Sequence, residues 1–412
     1  MVWARMLAAG IAGCLACAGL AACTPAPSGP PVAVLFPGGP DDDWGASAEV
    51  LREELAADGY AVEVRFAGDD IPEQLGQLRD VLETRPAAVV IAPVDTTAIA
   101  AVLGEDSGES VSVIAYDELI LDSDRVDYFA TFDHRESGRL QARALVDALG
   151  LVDDPDAGPF AVELLAGSGD DPSAQEAFAG ALEVLQPLLD AGRLTVPSER
   201  TSLEQAAILR GAPATAAERV AALLEDGVEL QGVLSPSDAM SRAVAQVLAD
   251  AGLGIVEAGS RWTAAPVAPE EPDPAIPPAP TPPPPDASAP PNEDARPDAG
   301  GEAADGADDV DGAEDAEDRE KRSSAPRVVL TGGGSTLDGV RAVRDGEQTA
   351  TVYEDPRELA RAVAAMVSEV VSGAAPTVTC GATTDNGIRE VPTLLLEPLP
   401  VATVEDAARL LG

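Results

Sequence analysis

The sequence contains very little cysteine and histidine. Its four cysteines are Cys14, Cys17, Cys23 and Cys380, and the first three lie in the amino-terminal leader, which leaves Cys380 alone in the rest of the chain. One remaining cysteine excludes an internal disulfide framework. The single histidine, His134, excludes a metal site built from several histidines. We therefore expect no disulfide, no metal and no other cofactor.

Basic and aromatic residues are also scarce. The chain has 26 Lys and Arg against 72 Asp and Glu, a formal net charge of −46, and only 3% aromatic residues. A surface of this sign repels the phosphates of nucleic acids, which excludes nucleic acid as a primary partner. The length of 412 residues is sufficient for two domains with substantial aliphatic cores.

Residues 1–22 have the pattern of a signal peptide. Arg5 is followed by an apolar run from Met6 to Ala22, which is too short to form a stable membrane-spanning helix. The run ends in Leu-Ala-Ala-Cys23, which resembles the lipobox of bacterial lipoproteins. This resemblance implies a lipid anchor on the Cys23 thiol, on the outer face of the cell membrane, with residues 23–31 as a tether. The alternative is an ordinary cleaved signal peptide with a chance cysteine.

Beyond residue 31 the chain alternates between short apolar runs and amphipathic stretches. The apolar runs predict strands at 32–36, 61–66, 87–92, 111–116 and 128–132, and the pattern begins again with 160–166, 194–197, 232–235 and 327–331. Helical stretches separate them at 44–58, 72–84, 97–103 and 137–149, and then at 172–191, 214–225 and 239–251. This alternation predicts an α/β protein with two doubly wound, parallel-sheet lobes and a cleft between them.

Residues 263–324 break this alternation. The segment is rich in proline from 277 to 291 and in Asp, Glu, Gly and Ala from 292 to 318, with almost no large apolar residue. Such a composition predicts disorder, because the segment cannot bury enough apolar surface to offset its ordering entropy. A strand resumes at 327, so we interpret the segment as an insertion within the second lobe. It is either a tolerated solvated loop or a spacer or interaction tail.

Many short segments, taken in order, resemble the xylose- and multiple-sugar-binding receptors of ABC transporters, which have the type I periplasmic binding protein fold. The matching segments are Asp43-Trp44, 67–70, 91–95, 114–120, 126–129, 132–134, 158–160, 163–168, Asp170-Asp171, 234–238, 384–387 and 391–398. The resemblance implies three hinge crossings, no catalysis, a monosaccharide ligand, an ABC permease as partner and a monomeric receptor. It implies an amino-terminal lobe of residues 32–134 plus 354–391, and a carboxyl-terminal lobe of 135–353 plus 392–412.

Candidate ligand residues follow the predicted strands. A sugar offers apolar ring faces to an aromatic side chain and hydroxyl groups to carboxylates, and ligands gather at the carboxyl ends of strands in doubly wound sheets. The residues at these places are Trp44, Asp95, Asp117, His134, Asp171 and Asp238. The resemblance implies that Asp117 is the principal sugar-binding aspartate and that His134 stands where the family has asparagine. The five candidates other than Asp117 have a named plainer alternative: a helix cap for Trp44, Asp95, Asp171 and Asp238, and a surface or hinge residue for His134.

The chain departs from the family at several ligand positions. Glu118 stands where the family has a basic residue, and Gly332-Gly333-Gly334-Ser335 stands where it has Gly-Gln-Asp. Acidic residues 41–43 replace a basic residue before Trp44, and an expected aromatic residue is missing near Arg210. These changes favour a neutral or cationic ligand. They also leave open a receptor-like lipoprotein whose degenerate pocket serves a sensor or scaffold. An enzyme is the least supported alternative, since no nucleophile–base pair is present.

Overall fold

The computed structural model describes residues 29–105, 111–262 and 325–412. It divides into two compact units: the first reaches Asp133 and includes Asp355–Glu397, and the second comprises His134–Glu354 and Pro398–Gly412. The chain therefore passes between the units three times. The predicted signal peptide, the lipidation site Cys23 and the predicted insertion at 263–324 lie outside the described residues.

The chain begins in the first unit. Up to Asp133 it forms β1 (Pro31–Phe36), α1 (Asp43–Ala57), β2 (Ala61–Phe66), α2 (Ile71–Thr84), β3 (Ala88–Ile91), α3 (Ala98–Glu105), β4 (Ser112–Tyr116) and β5 (Tyr128–Phe132).

It then enters the second unit. From His134 to Glu354 it forms α4 (His134–Ala148), β6 (Phe160–Leu164), α5 (Pro172–Asp190), β7 (Leu194–Thr195), α6 (Leu203–Ala206), a 3₁₀ turn (Leu209–Gly211), α7 (Pro213–Glu225), β8 (Gly232–Leu234), α8 (Asp238–Asp250), β9 (Gly254–Ile255), β10 (Arg327–Gly334), α9 (Leu337–Asp345) and β11 (Ala350–Tyr353).

The carboxyl-terminal part completes both units. Helix α10 (Pro356–Val371) and strands β12 (Thr383–Asp385) and β13 (Glu390–Leu396) return to the first unit, and β14 (Leu399–Val401) and α11 (Val404–Leu411) belong to the second. The family resemblance predicted that the chain crosses between the units for the last time after residue 391. Strand β13 instead continues to Leu396 in parallel register with β5, so the division falls after Glu397.

The sheet of the first unit has the order β12-β13-β5-β4-β3-β1-β2. All neighbours are parallel except β12 and β13. Alternate residues of β1 enter different cores: Val34 and Phe36 pack beneath α1 and α10, whereas Ala33 and Leu35 pack beneath α2 and α3. Burial on both faces explains why β1 reads as a continuous apolar run.

The sheet of the second unit has the order β14-β11-β10-β8-β6-β7, with β9 beside β10. Strands β6, β8, β10 and β11 run parallel, and β14 is antiparallel to β11. One face packs against α4 and α5 and the other against α7 and α8. The predicted class, two doubly wound α/β lobes, is confirmed.

Among the described residues, no helix combines the length and apolar character that crossing a membrane requires. The same part of the chain contains no group of three or more His, Cys, Asp or Glu side chains placed to hold a metal ion. Cys380 is exposed.

Candidate functional site

A pocket of about 450 Å³ opens in the second unit where the parallel strands end. Ligand-binding pockets commonly occupy roughly 300–1,000 Å³. The carboxyl ends of β6, β8, β10 and β11 and the first turns of α4, α5 and α8 surround it. Its lining consists of His134, Ser137, Gln141, Gly167, Ser168, Asp171, Ser173, Ala174, Ala177, Arg210, Gly211, Pro236, Ser237, Met240, Gly333, Gly334, Val352 and Glu354.

Helix α4 presents a polar stripe to this pocket. His134, Ser137 and Gln141 are spaced three and four residues apart, so they share one helix face. Glu354, directly after β11, meets the stripe: His134 Nδ1 lies 3.3 Å from Glu354 Oε1, and Ser137 Oγ donates to the same oxygen at 2.6 Å. These contacts fix the Glu354 carboxylate at the pocket wall.

The ionisation of Glu354 depends on two opposing effects. Burial favours a higher pKa, but the hydrogen bonds and the charge interaction from His134 and Ser137 outweigh it, so the pKa of Glu354 lies below its usual value. Glu354 is therefore a carboxylate at neutral pH, and a carboxylate accepts hydrogen bonds from hydroxyl groups.

Asp171 lines the same pocket and caps a helix. Its Oδ1 accepts from the Ser173 backbone N–H at 2.8 Å at the start of α5. Beside it, Ser168 Oγ donates to Asp170 Oδ1 at 2.5 Å and accepts from the Arg210 N–H at 3.1 Å. These bonds tie the loop after β6 to the 3₁₀ turn that carries Arg210, with the Arg210 backbone in the left-handed region.

Asp238 lies below the pocket and is absent from its lining. Only 8% of the residue is exposed, and its Oδ1 accepts from Gln348 Nε2 at 2.8 Å and from Thr351 Oγ1 at 2.7 Å. Burial raises the pKa of Asp238 above its usual value, although these two hydrogen bonds act in the other direction. The alternative of Asp238 as an N-cap is wrong, because Ser237 caps α8 by accepting from the Met240 N–H.

In the first unit, Trp44 lies in the first turn of α1. Its ring centroid is 5.2 Å from that of Phe36 and 6.2 Å from that of Tyr116, and it is half-buried. The helix cap is Asp42, whose Oδ1 accepts from the Trp44 N–H at 2.9 Å. The aromatic cluster therefore holds the indole after β1, and the alternative of Trp44 as the capping residue is wrong.

Asp95 follows β3 and has the geometry of a helix cap. Its Oδ1 accepts from the Thr97 N–H at 3.0 Å, from Thr97 Oγ1 at 2.8 Å and from the Ala98 N–H at 2.9 Å. The bond from the Thr97 side chain and the two backbone bonds hold the pKa of Asp95 below its usual value. The Gln74 carboxamide fixes the preceding segment, because its Nε2 donates to Ala92 O at 2.8 Å and its Oε1 accepts from the Val94 N–H at 2.7 Å.

Asp117 directly follows β4 in a strained backbone conformation. Its φ is 63°, a left-handed value that costs a residue other than glycine about 1–3 kcal/mol. Its N–H donates to Ala130 O at 2.8 Å, and its Oδ1 accepts from Thr131 Oγ1 at 3.3 Å. Bonds to β5 thus hold the carboxylate at the strand end.

Two of the six predicted ligand residues, His134 and Asp171, therefore lie in one pocket. Trp44, Asp95 and Asp117 lie at strand ends of the first unit, and Asp238 is buried beneath the pocket floor. Sequence reasoning missed Ser137, Gln141, Arg210 and Glu354 as pocket residues. Ser137 and Gln141 lie four residues apart on one face of the helix predicted at 137–149, which was a usable signal for the first two.

A family model described as "Periplasmic binding protein domain" matches residues 32–260, which is more than half of the chain. The chain belongs to this family. The predicted family and the predicted type I fold are thereby confirmed. The family is named for the periplasm, which agrees with a location outside the cytoplasm.

Two relatives extend the match along the chain. The multiple sugar-binding periplasmic receptor ChvE of Rhizobium radiobacter is 31% identical over 373 residues, 90% of this chain and 86% of that protein. The multiple sugar-binding periplasmic protein SbpA of Azospirillum brasilense is 32% identical over 375 residues, 90% and 85% respectively. Both are binding proteins, and the prediction that the chain is not an enzyme is confirmed.

Solved structures agree with this assignment. An ABC transporter solute binding protein from Clostridium phytofermentans with bound β-D-glucose is 25% identical, with a TM-score of 0.67 over 93% of this chain and 96% of that chain. A carbohydrate transporter solute binding protein from Chloroflexus aurantiacus, at 22% identity and a TM-score of 0.62 over 90% and 92%, shares the fold.

Proposed function

We propose that the chain is the substrate-binding lipoprotein of an ABC-type sugar importer and that it binds a monosaccharide. The observation that carries this proposal is the pocket of the second unit, which has fixed polar groups at the carboxyl ends of four parallel strands. The sugar-binding relatives named above support the ligand class. In this proposal an ABC permease in the membrane receives the sugar from a monomeric receptor.

The polar groups of the pocket suit hydroxyl groups. Glu354 is held as a carboxylate acceptor, Asp171 adds a second carboxylate, and the Arg210 side chain adds donors. Met240 and Val352 supply apolar surface for carbon-bound hydrogens. A few fixed polar groups on an otherwise apolar wall are what orient a small ligand in such pockets.

We also propose sugar contacts for three residues of the first unit. Trp44 would stack on the sugar ring, and Asp95 and Asp117 would accept from its hydroxyl groups. The support is their position at strand ends, where the Phe36–Tyr116 cluster holds the indole and bonds to β5 hold Asp117. For Asp238 the contacts with Gln348 and Thr351 favour support of the pocket floor over contact with the sugar.

Titration calorimetry with a panel of aldoses, amino sugars and polyols tests the binding proposal. We expect micromolar binding of at least one monosaccharide and an affinity about ten-fold lower in E354Q, because the variant removes the charge of an acceptor. E347Q changes an exposed glutamate of the same segment and should bind like the unaltered chain. If no member of the panel binds, the result would contradict the proposal and favour the sensor or scaffold alternative.

The lipid anchor is a separate part of the proposal. Cys23 would carry the acyl chains, and each buried CH₂ group adds about 0.8 kcal/mol to membrane binding. Fractionation and labelling with a tritiated fatty acid test it in bacterial cells that express the chain. The unaltered chain should be labelled and found with the membrane. C23S should be unlabelled and released, whereas C380S should behave like the unaltered chain.

A further inference from the structure

Strand β10 ends in three consecutive glycines at the pocket wall, and a side chain at each of these positions would meet a different constraint. A Cβ on Gly332 would meet Gln348 Nε2 at 2.3 Å and Asp238 Oδ1 at 2.4 Å, in the buried network beneath the pocket. Gly334 has a φ of 156°, which other residues rarely adopt. A Cβ on Gly333 would lie 2.4 Å from Gln141 Nε2. The middle glycine therefore leaves room for a side chain from α4.

The Gln141 carboxamide occupies that space and makes few hydrogen bonds there. The residue lines the pocket although only 6% of it is exposed. Its hydrogen bond within the described residues is from Nε2 to Pro236 O, at 3.4 Å, a long separation for an N–H donor. Its Oε1 has no hydrogen-bond partner there.

This bonding differs from that of a fully enclosed amide. Among the described residues the fully buried side-chain atoms without a partner are Gln77 Oε1 and Glu163 Oε2, so Gln141 Oε1 is accessible from the pocket that the residue lines. Protein side chains pair most of their buried polar atoms, because an unmet donor or acceptor costs about 1–3 kcal/mol. The Gln74 carboxamide of the first unit illustrates the usual case, since its nitrogen and its oxygen each hold a backbone group at 2.7–2.8 Å. Gln141 keeps an acceptor oxygen and one N–H donor available in a pocket whose other acceptors are the carboxylates of Glu354 and Asp171 and several serine hydroxyls.

We propose that Gln141 binds the sugar directly and reads one hydroxyl group or one pair of adjacent hydroxyl groups. A hydroxyl donates to Oε1 while the same or the neighbouring oxygen accepts from Nε2, which no carboxylate of the pocket can match. Gly333 enables this contact by leaving the carboxamide unobstructed. The inference rests on the proposed function, because it assigns a specificity residue to the same pocket.

Calorimetric titration of D-glucose and of its 2-, 3-, 4- and 6-deoxy analogues tests this assignment. In the unaltered chain, at least one analogue should bind about ten-fold more weakly than D-glucose because it lacks a hydroxyl that Gln141 holds. Q141A should bind D-glucose about ten-fold more weakly, and for that analogue the difference from D-glucose should disappear. A structural role for Gln141 would instead weaken all five sugars equally, which would overturn the inference.

Gly333 supplies a second, independent variant. G333A should displace the Gln141 carboxamide and weaken D-glucose binding about ten-fold, whereas the double variant Q141A/G333A should lose about ten-fold in total, because both changes remove one interaction. A loss of about one hundred-fold would mean that the two sites act independently and would overturn the coupling.

Controls separate this inference from the proposed function. Q246L alters an exposed glutamine of α8 and should leave every affinity unchanged, and melting temperatures confirm that each variant is folded. If the unaltered chain binds D-glucose but Q141A retains the same affinities for all analogues, only this inference fails. If the unaltered chain binds another monosaccharide but not D-glucose, the same titrations use the deoxy analogues of that sugar, and equal weakening of all of them in Q141A overturns this inference. If it binds no monosaccharide, the proposed function fails as well.

Discussion

Asp95 and Asp238 occupy comparable places in the two units and have opposite environments. Each lies four residues beyond the last residue of a parallel strand, β3 and β8 respectively. Asp95 is half-exposed and accepts backbone N–H groups of a helix start, whereas Asp238 is buried and accepts from the side chains of Gln348 and Thr351. The pKa of Asp95 is lowered and that of Asp238 is raised. An aspartate that follows a strand thus has no fixed role. The groups that donate hydrogen bonds to its carboxylate, together with its burial, determine that role.

Removing the Asp238 side chain should have the largest effect on stability. D238A leaves Gln348 Nε2 and Thr351 Oγ1 without their shared acceptor and leaves a cavity beneath Gly332 and Gly339. We expect a loss of about 3 kcal/mol in the free energy of unfolding, measured by urea denaturation. D238N keeps the shape and one acceptor oxygen and should lose much less. Equal losses in the two variants would contradict this account.

Gln74 is the corresponding buried support in the first unit. Q74L keeps the volume but leaves Ala92 O and the Val94 N–H without partners, just before Asp95. We expect a loss of about 2 kcal/mol in the free energy of unfolding. The exposed Gln186 provides the matched control Q186L, which should change stability by less than about 0.5 kcal/mol. A loss in Q74L as small as in Q186L would show that these backbone groups find other partners.

Much of the fold was readable from local patterns in the sequence. Strand β5 was predicted at 128–132 and is found at Tyr128–Phe132, and α2 was predicted at 72–84 and is found at Ile71–Thr84. Short apolar runs between polar or turn residues mark strands buried on both faces, as the run between Asp127 and Asp133 does, so their approximate bounds follow from the local pattern. Aspartates before proline mark helix starts in the same way, as Asp171 does before Pro172.

The site was less predictable because its contacts are distant in sequence. Ser137 and Glu354 are 217 positions apart, and nothing local in either segment indicates their hydrogen bond. The burial of Asp238 depends on glycines at 332 and 339, whose missing side chains make the space it fills. His134 and Asp171 were found because each lies where a strand gives way to a helix, a place the sequence does mark.

Loss of the Asp95 cap should have a smaller effect than either buried change. D95A removes the acceptor for the Thr97 and Ala98 N–H groups, and an N-cap is worth about 1 kcal/mol. D95N keeps an acceptor oxygen and should lose only a fraction of that. Urea denaturation measures both. If D95A also abolishes sugar binding while D95N does not, the cap would be shown to position the proposed ligand loop.

The dependence of stability on pH should separate the two aspartates by sign. The pKa of Asp238 is raised in the folded chain. Its contribution to the free energy of unfolding is therefore fully present below the ordinary aspartate pKa of about 3.9 and is lost as the pH rises through the pKa of the folded state. The lowered pKa of Asp95 means the reverse: its contribution is present above about 3.9 and is lost as pH falls through the folded-state value. Free energies of unfolding should therefore be measured between pH 3 and pH 7. As the pH rises, the stability of D238N should increase relative to that of the unaltered chain, and the stability of D95N should decrease relative to it. This is the smallest expected effect, because only a charge changes in each variant, and slopes of the same sign would contradict the contrast between the two sites.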